Sequence, residues 1–187
     1  MSQRKLVVYE FMSLDGVAEN VERLFTAWDD AEVDAAGADV IATQDAVILG
    51  RRTFDGWARF WPDSTIEPFA TFINKVQKFV ATSSPLETGW ANTTVIDGGL
   101  VEFVRDLKSE PGGDIGVHGS ISVAQALLAA GLVDELRLVV AQAVAGDVGR
   151  RLLDGVPPTR LTPIRSSVSP TGFLMLHCRV EPTEGPA

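Results

Sequence analysis

Apolar positions along this chain follow two alternating periods. Residues 5–12 form a near-continuous apolar run rich in Leu, Val, Tyr and Phe, the pattern of a strand covered on both faces. Ser13-Leu14-Asp15-Gly16 closes it with turn chemistry, because Asp bonds to nearby backbone and Gly permits positive φ. The period then lengthens. Val33, Ala36, Val40 and Ile41 share one face of a helix over residues 30–44, with Asp29 or Asp30 as its cap. A short apolar strand at 46–49 stops at Gly50, and 51–58 reads as a helix. After a loop at 62–64, Phe69, Phe72, Ile73 and Val76 make the stripe of a helix over 66–76 that runs into a strand at 77–82. A strand at 93–97, a helix at 100–109 and a strand at 114–118 follow. An Ala/Leu-rich helix then ends at Gly131, a usual helix-terminating glycine. Residues 134–144 read as a long β-branched strand. Residues 160–167 and 172–180 form a closing hairpin around Ser169-Pro170-Thr171-Gly172, and 181–187 is a frayed tail.

Strand and helix alternate until the closing hairpin. This order predicts an α/β three-layer sandwich with a central, mostly parallel sheet and antiparallel C-terminal strands. No repeat, low-complexity segment or long linker interrupts it, so residues 1–187 are expected to form a single domain.

Composition narrows the function classes. The 187 residues are 45 % hydrophobic and 22 % charged, values of an ordinary globular chain. Sixteen Lys and Arg against 25 Asp and Glu give a net charge of −9, which argues against nucleic acid or an anionic membrane as partner. No apolar run reaches the roughly 18 residues of a membrane helix. The apolar stretch at the N-terminus is short, broken by Glu10 and followed by no small-residue cleavage site, so it reads as a strand and not a signal peptide. One cysteine, Cys178, excludes an internal disulfide and a Cys-based zinc cage; no metal is expected, and a reducing cytoplasm fits.

Three strand-to-helix junctions carry the chemistry: Gly50-Arg51-Arg52-Thr53, Thr82-Ser83-Ser84 and His118-Gly119-Ser120-Ile121. In a parallel sheet all three fall at the carboxyl edge, where open α/β folds bind ligands. Each offers backbone N–H groups at or near a helix start, an anion site, and the first adds guanidinium groups suited to phosphate. Singly, such glycines and arginines are ordinary turn and surface residues. Together they point to a phosphate-rich nucleotide held by dispersed loops. The dinucleotide G-x-G-x-x-G and the P-loop G-x-x-x-x-G-K-[ST] are both absent.

Gly50-Arg51-Arg52-Thr53-Phe54 resembles the Gly-Arg-x-Thr segment of dihydrofolate reductase-like proteins. Ser13-Leu14-Asp15-Gly16, the stretch from Asp114 to Ser120 and the run from Gly131 to Leu136 resemble one branch of them. That branch is the reductase domain of bacterial bifunctional riboflavin deaminase-reductases and its stand-alone relatives, and the resemblance extends over about residues 4–180. It implies an NADPH-dependent reductase that commonly dimerises. By the family pattern Gly50, Arg51, Arg52 and Thr53 meet the cofactor phosphates. Thr82, Ser83 and Ser84 lie near the adenosine 2′-phosphate, and His118, Gly119, Ser120 and Ile121 hold the pyrophosphate. Asp15 and Gly16 sit on the substrate side, by the nicotinamide. A 2′-phosphate wants Arg and hydroxyl donors, whereas an NADH ribose wants an acid. The chain departs from the family in having His118-Gly119 where dihydrofolate reductases have a Gly-Gly pair. It also lacks the H-x-E and P-C-x-x-C signature of the zinc deaminase half.

Reduction of a C=N or C=O group needs a proton as well as a hydride. Asp15, in a cleft beside an apolar strand, has two readings. Desolvation raises its pKa and makes it the proton donor, or its carboxylate merely shapes the turn. His118 and His177 read as structural. Trp28, Phe54, Trp57 and Trp61 offer a flat apolar slot for a heterocycle, with Trp28 and Phe54 best placed. The substrate class implied is a pterin or pyrimidinone. Three other readings stay open: a non-catalytic nucleotide sensor, a reductase using a deazaflavin, and a structural homodimer paired through strand 136–144.

Overall fold

The computed structural model describes residues 4–24 and 30–182. Eight strands form one sheet: β1 (Leu6–Met12), β2 (Gln44–Gly50), β3 (Gln77–Ala81), β4 (Thr93–Val95), β5 (Asp114–His118), β6 (Glu135–Val140), β7 (Leu161–Val168) and β8 (Leu174–Val180). Their order is β4-β3-β2-β5-β1-β6-β8-β7. β1 pairs in parallel with both β5 and β6, whereas β8 runs antiparallel to β6 and β7. The helices are α1 (Ala31–Ile41), α2 (Arg51–Phe60), α3 (Phe69–Lys75), α4 (Leu100–Ser109) and α5 (Ile121–Ala129).

Successive strand residues face opposite sides. Leu6 and Val8 of β1, Ala46 and Ile48 of β2, and Ile115 and Val117 of β5 therefore point one way, against Val104 of α4 and Ala124 and Leu127 of α5. Val47, Leu49 and Val80 point the other way, against Phe54 and Ala58 of α2 and Ile73 of α3. Further along that face Val139, Ala141 and Phe173 meet Tyr9, Phe11 and Val33. The result is the predicted three-layer sandwich.

Local chemistry sets the boundaries. Asp30 caps α1 by accepting from the Glu32 and Val33 N–H groups at 3.0 and 3.2 Å, and Thr171 donates its hydroxyl to the same carboxylate. α1 ends at Ile41, earlier than its sequence pattern suggests, because Gln44 is drawn into β2 to pair with Asp114. α3 begins at Phe69 and not at 66, directly after Pro68, which has no N–H to give. At its far end the buried Lys78 ammonium donates to the Ile73 and Val76 carbonyls at 2.8 and 2.9 Å. α5 ends with Gly131 at φ +66°, where Gly131 and Leu132 N–H groups return to Leu128 and Leu127 carbonyls. β6 stops at Val140, short of the expected 144, and the chain turns off to Asp15.

Candidate functional site

The topology brings the three junctions together at the carboxyl edge of the sheet. Gly50 ends β2, Ala81 ends β3 and His118 ends β5, and β5 lies directly beside β2. Hydrogen bonds join them. Ser120 Oγ accepts from the Gly50 N–H at 3.0 Å, and Thr53 Oγ1 donates to the Gly119 carbonyl at 2.8 Å. Arg51 Nη1 donates to Ser84 Oγ at 2.7 Å and to the Pro85 carbonyl at 2.8 Å, while its Nε is held by Asp55 at 2.8 Å. Thr82 Oγ1 accepts from the Ser84 N–H at 3.1 Å and shapes that loop.

Two adjoining basins lie over this edge. One, of about 550 Å³, is lined by Gly50, Arg52, Thr53, Trp57, Gly119 and Ser122 among others. The second, of about 570 Å³, is lined by Thr82, Ser83, Ser84, Asp97 and Gly98, and shares Ala81 and Leu100 with the first. The trough suits an extended, phosphate-bearing ligand. Among the described residues no side chain caps α2 or α5, so their first N–H groups are left to an outside acceptor. Gly119 sits at φ +62°, and a Cβ there would come within 3.1 Å of Trp57, so this corner requires glycine. Arg52 is 80 % exposed and its only close partner among the described residues is Glu19, at 3.1 Å. Across the basin Arg150 reaches Ser122 Oγ at 2.9 Å.

Several expected roles need correction. Phe54 is fully buried beside Trp90 at 6.1 Å, under α2 and not in a ligand slot. A helix that presents residues 51 and 52 to the edge turns residues 54 and 58 inward. The His118 ring is buried on the opposite face of the sheet, with Nε2 at 2.8 Å from Gln44 Oε1 and Tyr9 and Phe69 packed on it. Burial lowers its pKa to about 4, so it is neutral and offers no charge to a phosphate. The Ser120 hydroxyl is spent on Gly50, and Ile121 is buried, so both can present only backbone to a ligand. Trp28 lies outside the described residues. Trp57 lines the basin, and at 5.8 Å Trp61 packs behind it.

Asp15 is not the desolvated acid. The Ser13 hydroxyl donates to it at 2.7 Å, and the Ala145 and Gly146 N–H groups donate at 2.9 Å. These bonds, Ser13 first, hold its pKa at about 2. It is ionised at neutral pH and cannot supply a proton there. Its geometry matches the turn-shaping reading: with Gly16 at φ +86° it ties the end of β1 to residues 143–146.

Sequence reasoning missed Arg150, which carries no motif around it, and Asp97, which shares a basin with the Thr82–Ser84 hydroxyls. It also passed over Glu10. This carboxyl lies on β1 at 4 % exposure, on the same side as Leu6 and Val8. Burial raises its pKa to about 8, opposed by hydrogen bonds from the Ser120 and Gly119 N–H groups. The signal was present in the sequence: an acid at an inward position of an otherwise apolar strand.

The chain belongs to the RibD C-terminal domain family, whose model matches residues 4–175. It is 26 % identical over 151 residues to the uncharacterized protein YyaP of Bacillus subtilis strain 168, covering 79 % of each chain. With YwjB of the same strain, also uncharacterized, it shares 28 % over 146 residues, 77 % of this chain and 80 % of that one. A putative riboflavin biosynthesis protein from Shewanella sp. PV-4 superposes with a TM-score of 0.78 at 18 % identity, over 95 % of this chain and 99 % of the other. A pyrimidine reductase-like protein from Corynebacterium diphtheriae gives 0.71 at 15 %, over 95 % and 92 %. A Thermotoga maritima diaminohydroxyphosphoribosylaminopyrimidine deaminase/5-amino-6-(5-phosphoribosylamino)uracil reductase gives 0.67 at 14 %, over 96 % of this chain but 57 % of that one. At these identities the structures establish the shared α/β fold alone. Among the described residues no helix is long and apolar enough to cross a membrane.

Proposed function

We propose that this protein is an NADPH-dependent oxidoreductase acting on a flat, amide-bearing heterocycle of the pterin or pyrimidinone kind. The carrying observation is the trough that joins the uncapped starts of α2 and α5 to the hydroxyl-lined basin at Thr82–Ser84. NADPH fits these residues. The backbone N–H groups of Ile121 and Ser122 at the start of α5 receive the pyrophosphate, with Arg52 exchanging Glu19 and Arg150 exchanging Ser122 for it. Thr82, Ser83 and Ser84 take the adenosine end, braced by Arg51. Bound there, NADPH supplies the hydride; the chain binds, orients and excludes water. Trp57, next to Gly119, is an aromatic wall of the same basin. A homodimer belongs to the same reading. The edge strand β7 is exposed nearly throughout, with Ile164 at 47 % and Val168 at 65 %, and a second copy would cover it.

One observation favours a second reading, a nucleotide sensor without turnover: the Asp15 carboxylate is engaged by the Ser13 hydroxyl and the Ala145 and Gly146 N–H groups in shaping the turn. Calorimetric titration with NADPH and NADH, followed by loss of nicotinamide absorbance with pterins and pyrimidinones, separates the two. Micromolar NADPH binding with weaker NADH binding and turnover supports the reductase. Binding without turnover of any heterocycle supports the sensor. Binding of neither nucleotide overturns both.

A further inference from the structure

An acid stands at the end of the trough assigned to the adenosine. β4 pairs in parallel with β3, Phe79 opposite Thr94 and Val80 opposite Val95. The Ile96 N–H donates to the Val80 carbonyl at 3.0 Å and carries that pairing past the end of β4. One further step along both chains sets Asp97 alongside Thr82. Asp97 is exposed there and lines the same basin as Thr82, Ser83 and Ser84.

The rest of the basin offsets this charge weakly. Among the described residues no Lys or Arg lines it. The cation at its wall is Arg51, which reaches Ser84 and Pro85 through Nη1 while Asp55 holds its Nε at 2.8 Å. Thr82 Oγ1 donates to the Ser84 carbonyl at 3.0 Å, and Ser84 Oγ accepts from Arg51. The Ser83 hydroxyl is left for a ligand. α4 starts beside the basin, with Gly99 at its N-cap. Glu102, in its first turn, folds back so closely that a Cβ at Gly99 would overlap Oε2. A second carboxylate therefore covers the helix start that could otherwise receive a phosphate.

NADH and NADPH differ only at the adenosine ribose. A 2′-hydroxyl has a proton to donate, whereas a 2′-phosphate brings about two negative charges. An acid at a strand end beside that ribose accepts from the hydroxyl and repels the phosphate. We infer that Asp97 sets the choice between the two dinucleotides: its carboxylate accepts a hydrogen bond from the adenosine 2′-hydroxyl and opposes a 2′-phosphate, so the cleft takes NADH as well as NADPH. This rests on the proposed dinucleotide use of the cleft and names the residue that decides which form enters. Arg51 and Ser83 give NADPH its margin; Asp97 keeps that margin narrow.

Calorimetric titration of the wild type, D97N and D97S with NADPH and with NADH tests it. The ratio of the two affinities cancels everything the nucleotides share, the pyrophosphate included. The wild type should favour NADPH by no more than about tenfold. D97N and D97S should each raise that ratio by about tenfold, NADPH binding tighter and NADH weaker. A purely structural role for Asp97 would weaken both nucleotides alike and leave the ratio where it was. A larger margin in the wild type, or a ratio unmoved in both variants, overturns the inference and leaves the NADPH cleft standing. Binding of neither nucleotide to the wild type overturns the cleft itself. If neither variant folds, the wild-type ratio decides alone.

Discussion

The Gly50 N–H donates to Ser120 Oγ at 3.0 Å, joining residues seventy positions apart. Through this bond the first turn of α2 and the first turn of α5 start from a common point, and both uncapped helix starts open onto one basin. Ser120→Ala removes the acceptor and leaves a half-buried N–H unpaired. The expected cost is about 1–2 kcal/mol, lowering Tm by about 2–8 °C for a chain of this size, with weakened nucleotide binding. Differential scanning calorimetry with and without NADPH reads both effects.

Arg51 and Arg52, adjacent in sequence, should behave differently. Arg52 is exposed and, among the described residues, held only by the surface ion pair to Glu19, a contact of about 0–1 kcal/mol. Arg52→Ala should therefore leave Tm unchanged while weakening NADPH binding about tenfold, the loss of one phosphate contact. Arg51 braces Asp55, Ser84 and Pro85, so Arg51→Ala should lower Tm as well as affinity. Equal Tm values for the two variants would contradict this division.

Asp15→Asn bears on acid stability and not on the proton supply. The folded pKa of Asp15 is depressed to about 2, with the Ser13 bond as the main cause. Its stabilisation is therefore present above the unfolded carboxylate value near 4 and lost as pH falls toward 2. Urea unfolding midpoints between about pH 5 and about 2 should fall more steeply in the wild type than in Asp15→Asn. Any turnover should keep its pH profile around neutrality, because Asp15 is ionised throughout that range.

Glu10→Gln has the opposite sign. The folded pKa is raised to about 8 by burial, so the stabilisation is full below the unfolded value near 4.3 and lost as pH rises to about 8. The variant should gain on the wild type across that window, by a few kcal/mol at about pH 9. Chemical denaturation at two pH values reads it; an equal loss in both proteins would show that Glu10 does not titrate there.

Most of the fold was readable because it rests on local patterns. The alternation at Leu6, Val8, Ala46 and Ile48 reports burial directly, and Asp30 and Gly131 mark helix ends through their own side chain or lack of one. Two of the three junctions, at Gly50–Thr53 and His118–Ile121, were readable for the same reason; Thr82–Ser84 follows β3 as expected but leads through a loop into β4 and not into a helix. The Asp15 environment was not, since two of its donors come from residues 145 and 146, brought in by the exit from β6. Phe54 looked like a ligand contact by proximity in sequence to Gly50, whereas helical rotation sends it into the core. Glu10 was visible as an oddity, but its meaning depends on α5, whose first residues follow more than a hundred positions later.

The sheet order has a consequence for synthesis. β1 and β2 leave the ribosome early, yet they are not neighbours; β5, pairing Leu6 with Ile115 and Ile48 with Val117, is the strand that fills the space between them. Until residues 114–118 emerge, the two nascent strands have no shared partner and their facing edges stand open. The ligand trough, which needs the ends of β2, β3 and β5 together, thus cannot form until β5 has emerged. No N-terminal fragment ending before β5 should retain nucleotide binding.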